Sequence, residues 1–144
     1  RLQKAVAGRR KPLSAPRLIP DIETAVRARL QATEKLESSA RLLVERNLIA
    51  VEGGYQWRSD PRLMWPSHSR ADEATVQGWV AAIECPTLVI AADPPPVYFS
   101  TQLLNVRFAH LKNGTKHTIP GTHHVHMDKP KEVAELIQAF WSTL

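Results

Sequence analysis

Three of the chain's six histidines fall within four residues, at His123, His124 and His126. An imidazole titrates near neutral pH, so it can take up a proton and hand it back within one reaction cycle. The cluster lies in Thr118-Ile-Pro-Gly-Thr-His-His-Val-His-Met-Asp-Lys-Pro130. A β-like run, Lys116-His-Thr-Ile119, precedes it and stops at Pro120-Gly121; an amphipathic helical run, Lys131 to Trp141, comes after it. A histidine on a turn between strand and helix is displayed to reactants. A second candidate is Asp93, just past the apolar run Cys85-Pro-Thr-Leu-Val-Ile90.

The same histidines could ligate zinc, copper or nickel. Neighbours on one turn rarely converge on one ion, however, and no cysteine or His-x-x-x-His pair stands near to complete a set. We therefore expect no metal and no cofactor. His126 reads as a partly buried, hydrogen-bonded residue. Cys85, at the start of a strand with no cation adjacent in sequence, reads as a structural thiol. Ser67, Ser69 and Ser100 lack the sharp strand-to-helix context of a nucleophilic serine.

The elements that must hold these groups can be read from pattern. Residues 1–20 form a basic connector: Gly8 and Pro12 end a short helix over Leu2 to Ala7, and Pro16 and Pro20 keep the next stretch extended. Asp21 is an N-cap for a helix carrying Ile22, Val26 and Leu30. A second helix spans Leu36 to Arg46, so the two form an αα-hairpin. Leu48-Ile-Ala-Val51, Gly53-Gly54 and Tyr55-Gln-Trp57 read as a β-hairpin. A third helix opens at Asp72 and ends near Ile83.

From Cys85 the order becomes strand, loop, helix, strand, histidine loop, helix. That alternation predicts an α/β fold with parallel strands. The continuous apolar run after Pro86 reads as a strand buried on both faces, and the next helix is expected over Val97 to Leu111. In parallel sheets reactive groups sit beyond the strands' carboxyl ends, so Asp93 and His123 are expected at one edge. The four tryptophans, Trp57, Trp65, Trp79 and Trp141, stand in apolar contexts and are mostly expected in the core.

These residues resemble the α/β-hydrolase fold family, and more closely the C-terminal part of serine hydrolase-like proteins. Cys85 to Ile90 is similar to the family's penultimate strand, Ile119 to Pro130 to its last strand and histidine loop, and Val133 to Phe140 to its C-terminal helix. Residues 20–80, with Leu42-Leu-Val-Glu-Arg46, Gly53-Gly54 and Arg58-Ser-Asp-Pro-Arg-Leu63, resemble its cap. The resemblance implies a helical cap or lid with a small hairpin over 21–83. Over 84–144 it implies the C-terminal part of the core, two strands with flanking helices.

The resemblance also implies roles. His123 would be the catalytic general base and acid, with His124 the alternative. The family's acid usually lies three residues beyond a glycine. Here the loop is Ala91-Ala92-Asp93-Pro94, so the carboxylate is either Asp93 or one after the preceding strand. Met64, Trp65 and His124 would meet a small hydrophobic substrate, an ester or similar compound. The 144 residues contain no Gly-x-Ser-x-Gly and no oxyanion loop. The expected partner is therefore an N-terminal half, in the same or a nicked chain, that supplies the nucleophile. The alternative is a catalytically inactive remnant that self-associates as a homo-oligomer and serves as an interaction module.

Composition sets outer bounds. Hydrophobic residues make up 43% and charged residues 23%, as in ordinary globular domains. No apolar run reaches the ~20 residues that span a bilayer, and no signal-peptide pattern opens the chain. One cysteine rules out an internal disulfide, so a reducing, cytoplasmic address and no membrane partner are expected. The net charge is +5, concentrated toward Arg1, Lys4, Arg9, Arg10, Lys11 and Arg17. No nucleic-acid-binding signature accompanies it, so no specific nucleic acid is expected.

Overall fold

The computed structural model describes all residues except 1, 11, 14 and 33–35. Arg1 and Lys11 of the basic group lie outside the described residues. The chain forms two compact units, Arg1–Arg70 and Ala71–Leu144. No described helix is long and apolar enough to cross a membrane.

The first unit contains α1 (Leu2–Arg10) and is built on an αα-hairpin, α2 (Ile22–Ala32) and α3 (Glu37–Asn47). The Asp21 carboxylate starts α2 by accepting the Thr24 amide at 2.6 Å. The Asn47 side chain closes α3 by donating to the Leu43 carbonyl at 3.0 Å. Val26 and Val44 are the largest fully buried side chains, and Ala25 and Ala40 pack beside them. Alanines at the contact let two helices approach closely, and each buried valine contributes about 1.5–3 kcal/mol. Arg41 grips Glu23 in a two-pronged ion pair at 2.7 and 2.8 Å. Both side chains are exposed, so the pair orients the hairpin more than it stabilises it.

The hairpin β1 (Leu48–Val51) and β2 (Gly54–Trp57) forms as expected, antiparallel, with Val51 opposite Gly54. Ile19 adds a bridge to Tyr55, each amide donating to the other's carbonyl at 2.8 Å. Ile19 thus joins the ribbon rather than merely leading to α2. The helix α1 runs past Gly8, where the sequence suggested a stop. A glycine inside a helix costs only about 1 kcal/mol relative to alanine, whereas Pro12 cannot continue one.

The second unit holds α4 (Glu73–Ala81), β3 (Thr87–Asp93), α5 (Thr101–Phe108), β4 (Gly114–Pro120), α6 (Val125–Asp128) and α7 (Pro130–Trp141). Asp72 caps α4 through the Thr75 amide, and Ser100 caps α5 through the Leu103 amide. The strands pair in parallel, from Thr87 opposite Gly114 to Asp93 opposite Pro120. Lys116 of β4 donates to the side-chain oxygen of Asn105 on α5 at 2.6 Å and lies over the Phe108 ring. Glu73 and Arg107 join α4 to α5 through two hydrogen bonds at 3.0 and 2.7 Å.

Four expectations are corrected by the structure. β3 is half-buried along Thr87 to Ala92 rather than buried on both faces, because β4 is its only strand neighbour among the described residues. α5 begins at Thr101, not Val97, since the three prolines at 94–96 delay it and Ser100 supplies the cap. Cys85 is exposed and precedes the strand. The tryptophans stay out of the core: Trp79 and Trp141 are 63% and 74% exposed, and Trp57 is also exposed. In this unit only Ile119 and Val125 are buried hydrophobics among the described residues.

Two outcomes are expected. A Cβ at Gly54, where φ is +152°, would lie 2.4 Å from the Ile19 carbonyl oxygen. Gly54→Ala should therefore lower stability by about 1–3 kcal/mol in urea unfolding, and an unchanged midpoint would refute the close approach. Glu73 has its carboxyl held below the usual range, chiefly by the Arg107 hydrogen bonds. Because folding lowers that pKa, the pair's contribution is full above the ordinary glutamate range and is lost as pH falls through the lowered value. Arg107→Gln should flatten the acid limb of a stability–pH curve, measured by thermal unfolding between pH 7 and 3.

Candidate functional site

Parallel pairing brings the ends of β3 and β4 to one edge. Beyond the last residue pair, the Gly121 amide donates to the Asp93 carbonyl at 2.8 Å, so the histidine loop, leaving β4, is tied at its start to the end of β3. Gly121 adopts φ +148°, and a Cβ there would crowd Val125 Cγ1 at 3.3 Å. Glycine lets the chain turn sharply while Val125 packs underneath.

Thr122 organises the rest of the loop. Its hydroxyl accepts the His124 amide at 3.1 Å and donates to Asp128 Oδ2 at 3.1 Å. Its carbonyl accepts the Val125 amide at 3.0 Å. Asp128 thus ties the short helix α6 back to the loop, and Pro130 opens α7, where a missing amide does no harm. Val125 is the buried residue of α6, which anchors the histidines on either side of it.

His123 and His124 are half-buried and stack with ring centres 4.0 Å apart at 39°. The Tyr98 ring meets His123 edge-on, at 6.1 Å and 77°. His126 is exposed, its ring 6.1 Å from that of His124, and so departs from the partly buried residue the sequence suggested. Its neighbour Val125 takes the inward position on a helix of one turn. Tyr98 carried no signal, because the sequence placed it in the helix expected from Val97; in the structure it lies in the loop before α5.

The structure thus gathers His123, His124 and Tyr98, and sets Asp93 at the same edge through its backbone. The Asp93 side chain is exposed, and among the described residues it makes no hydrogen bond or ion pair with His123. No three His, Cys, Asp or Glu side chains among the described residues converge as a metal site would require. His123 is thus a half-buried imidazole between the rings of Tyr98 and His124, beyond the carboxyl end of a parallel strand.

Met64 and Trp65 belong to the first unit. The single-turn helix Pro61–Met64 is capped by Asp60, whose Oδ1 accepts the Arg62 amide at 2.8 Å. The Arg62 side chain pairs with the same carboxylate and holds its pKa down to about 2. Trp65 lies under the Arg9 guanidinium at 5.8 Å, while Met64 is 87% exposed.

No family model matches the chain. It is 33% identical over 117 residues to a serine hydrolase-like protein of Dictyostelium discoideum, a match covering 74% of this chain and 32% of the relative. It superposes on a hypothetical protein of Pseudomonas aeruginosa PAO1 with a TM-score of 0.82 and 30% identity, over 98% of this chain and 51% of that one. The chain carries part of an α/β-hydrolase fold. The E-2-(acetamidomethylene)succinate hydrolase structure shares that fold at 15% identity and a TM-score of 0.74, over 99% of this chain and 53% of that one. The chain spans about a third of the curated relative's length and about half of the solved structures'. Within this partial α/β-hydrolase fold, β3 and β4 are adjacent parallel strands, and the histidine loop leaves the second of them.

The loop's dependence on Thr122 is open to measurement. Thr122→Val should lower stability by about 1 kcal/mol, since it removes hydrogen bonds to Asp128 and from the His124 amide. It should also move the His124 amide resonance in a ¹H–¹⁵N spectrum. A spectrum in which that resonance stays in place would show that Thr122 does not hold the loop.

Proposed function

We propose that this chain is the cap and the histidine-bearing C-terminal part of a serine-type α/β hydrolase acting on an ester or similar small hydrophobic substrate. The observation that carries the reading is His123 on the loop that leaves β4, linked by the Gly121 amide to the end of β3. In this reading His123 takes the proton of a serine hydroxyl as the oxygen attacks a carbonyl, then returns it to the leaving group. His124 stacks on its ring and is the alternative base. Asp93 would orient the imidazole after its side chain turns inward; a carboxylate beyond the preceding strand is the rival. The serine and the oxyanion hole are assigned to an N-terminal half, the partner that would also cover the half-buried faces of β3. Met64 and Trp65 contribute apolar contacts to substrate. The lone Cys85 suits a reducing compartment, and a cytoplasmic site of action is part of the proposal.

A second reading, an inactive remnant working as an interaction module, draws on the exposed apolar side chains Trp79, Val97, Tyr98 and Trp141. Activity separates the two. In the intact polypeptide that includes this chain, His123→Ala should reduce kcat on short p-nitrophenyl esters by about 10²–10⁴-fold. Turnover equal to the unsubstituted protein would remove His123 from the mechanism. A wild-type protein inert toward esters and thioesters would favour the interaction module.

A further inference from the structure

A groove of about 650 Å³ lies within the first unit, between the segment after α1 and the Pro61–Met64 turn. Its walls include Leu13, Trp57, Leu63, Met64 and Trp65. Leu63 is 77% exposed, so these walls hold apolar surface open to solvent. A second groove of about 520 Å³ shares Trp57, Ser59 and Met64 with the first, and the two adjoin there. The combined shape suits a long ligand better than a compact one.

The charges along it are one-sided. Asp60 lines the groove, but Arg62 already neutralises it. Arg17 also lines it, and Arg9 stands over the Trp65 ring. Among the described residues neither Arg9 nor Arg17 forms an ion pair. Arg9 uses Nη1 to reach the Ala5 and Pro66 carbonyls at 3.2 Å. Its guanidinium has five N–H donors, so the others can serve an anion. Apolar walls with cations at hand match a molecule that is aliphatic along its length and negative at one end.

We propose that this groove binds an aliphatic chain ending in an anionic group, the chain lying against Trp57, Leu63, Met64 and Trp65 and the anion met by Arg17 and Arg9. The proposal deepens the hydrolase reading by naming a substrate class for Met64 and Trp65. Binding alone tests it, so a failed esterase assay and a failed titration remain separate results.

The experiment is calorimetric titration of the intact polypeptide that includes this chain with decanoate, decyl phosphate, decanol and decyltrimethylammonium, each below its solubility limit or micelle-forming concentration. At least one of the two anions should bind tenfold or more tightly than decanol, and the comparison between them tells carboxylate from phosphate recognition. Arg17→Gln should weaken the preferred anion about tenfold and leave decanol unchanged, because a charge-assisted contact is lost while the walls stay intact. Met64→Asp, a change at an exposed position that folding tolerates, should weaken both anions and decanol. Decanol or decyltrimethylammonium binding as tightly as the preferred anion, or an Arg17→Gln protein indistinguishable from the original, would overturn the proposal, and so would Met64→Asp without effect.

Discussion

Seven consecutive residue pairs hold β3 against β4, and the candidate site depends on that parallel pairing. Parallel strands cannot be joined by a tight turn; they need a crossover, here the segment containing α5. Both strands therefore finish at the same edge, and the loop after each one is delivered there. The Gly121 amide bonding to the Asp93 carbonyl extends the pairing one step past the strands. From that point Thr122 and Val125 have only a short distance over which to set the histidines. The chemistry of the loop is thus anchored to a backbone ladder, and the side chains on it depend on a few hydrogen bonds.

The same ladder has an energetic shortfall. Two strands leave most of their faces uncovered, and a pair this small is not independently stable without something packed against it. The second unit shows that condition in its half-buried β3, and in the exposure of Ile137 and Trp141 on α7 while Val133, Leu136 and Phe140 are half-buried. Its exposed aromatic and aliphatic surface forgoes burial worth roughly 25 cal/mol per Å². The first unit differs. Ile19, Ala25, Val26, Ala40, Val44 and Leu48 form a closed core of small and branched residues, with Ile22, Leu30 and Tyr55 packed against it. Its larger apolar side chains, Trp57, Leu63 and Met64, lie outside that core and shape a groove.

Local signals are legible wherever the physics is local. Asp21, Asp72 and Gly53-Gly54 act through atoms two or three residues away, and each performs the capping or turning role its type suggests. The alternation of strand and helix after Cys85 is equally legible, because apolar periodicity reflects backbone geometry. Burial is not legible in this way. Pro86-Thr-Leu-Val-Ile90 has the composition of a strand covered on both faces, but composition states what a strand tolerates and not which neighbours are present. The tryptophans fail as core markers for the same reason. His126 departs from expectation because one helical turn decides which of two adjacent residues faces inward, and Val125 has the stronger claim.

By itself the sequence determined the order of the elements, the caps and turns that bound them, and a histidine loop after a strand. These depend on side chains acting on their own backbone. Only the tertiary structure decided the register of the parallel pair, with Asp93 opposite Pro120, and that Tyr98 meets the His123 ring. It alone also showed that Asp93, at the edge the sequence suggested, makes no hydrogen bond or ion pair with His123 among the described residues. Those outcomes rest on contacts between residues far apart in the chain, where distance and direction are set by packing and residue type alone carries no record of them.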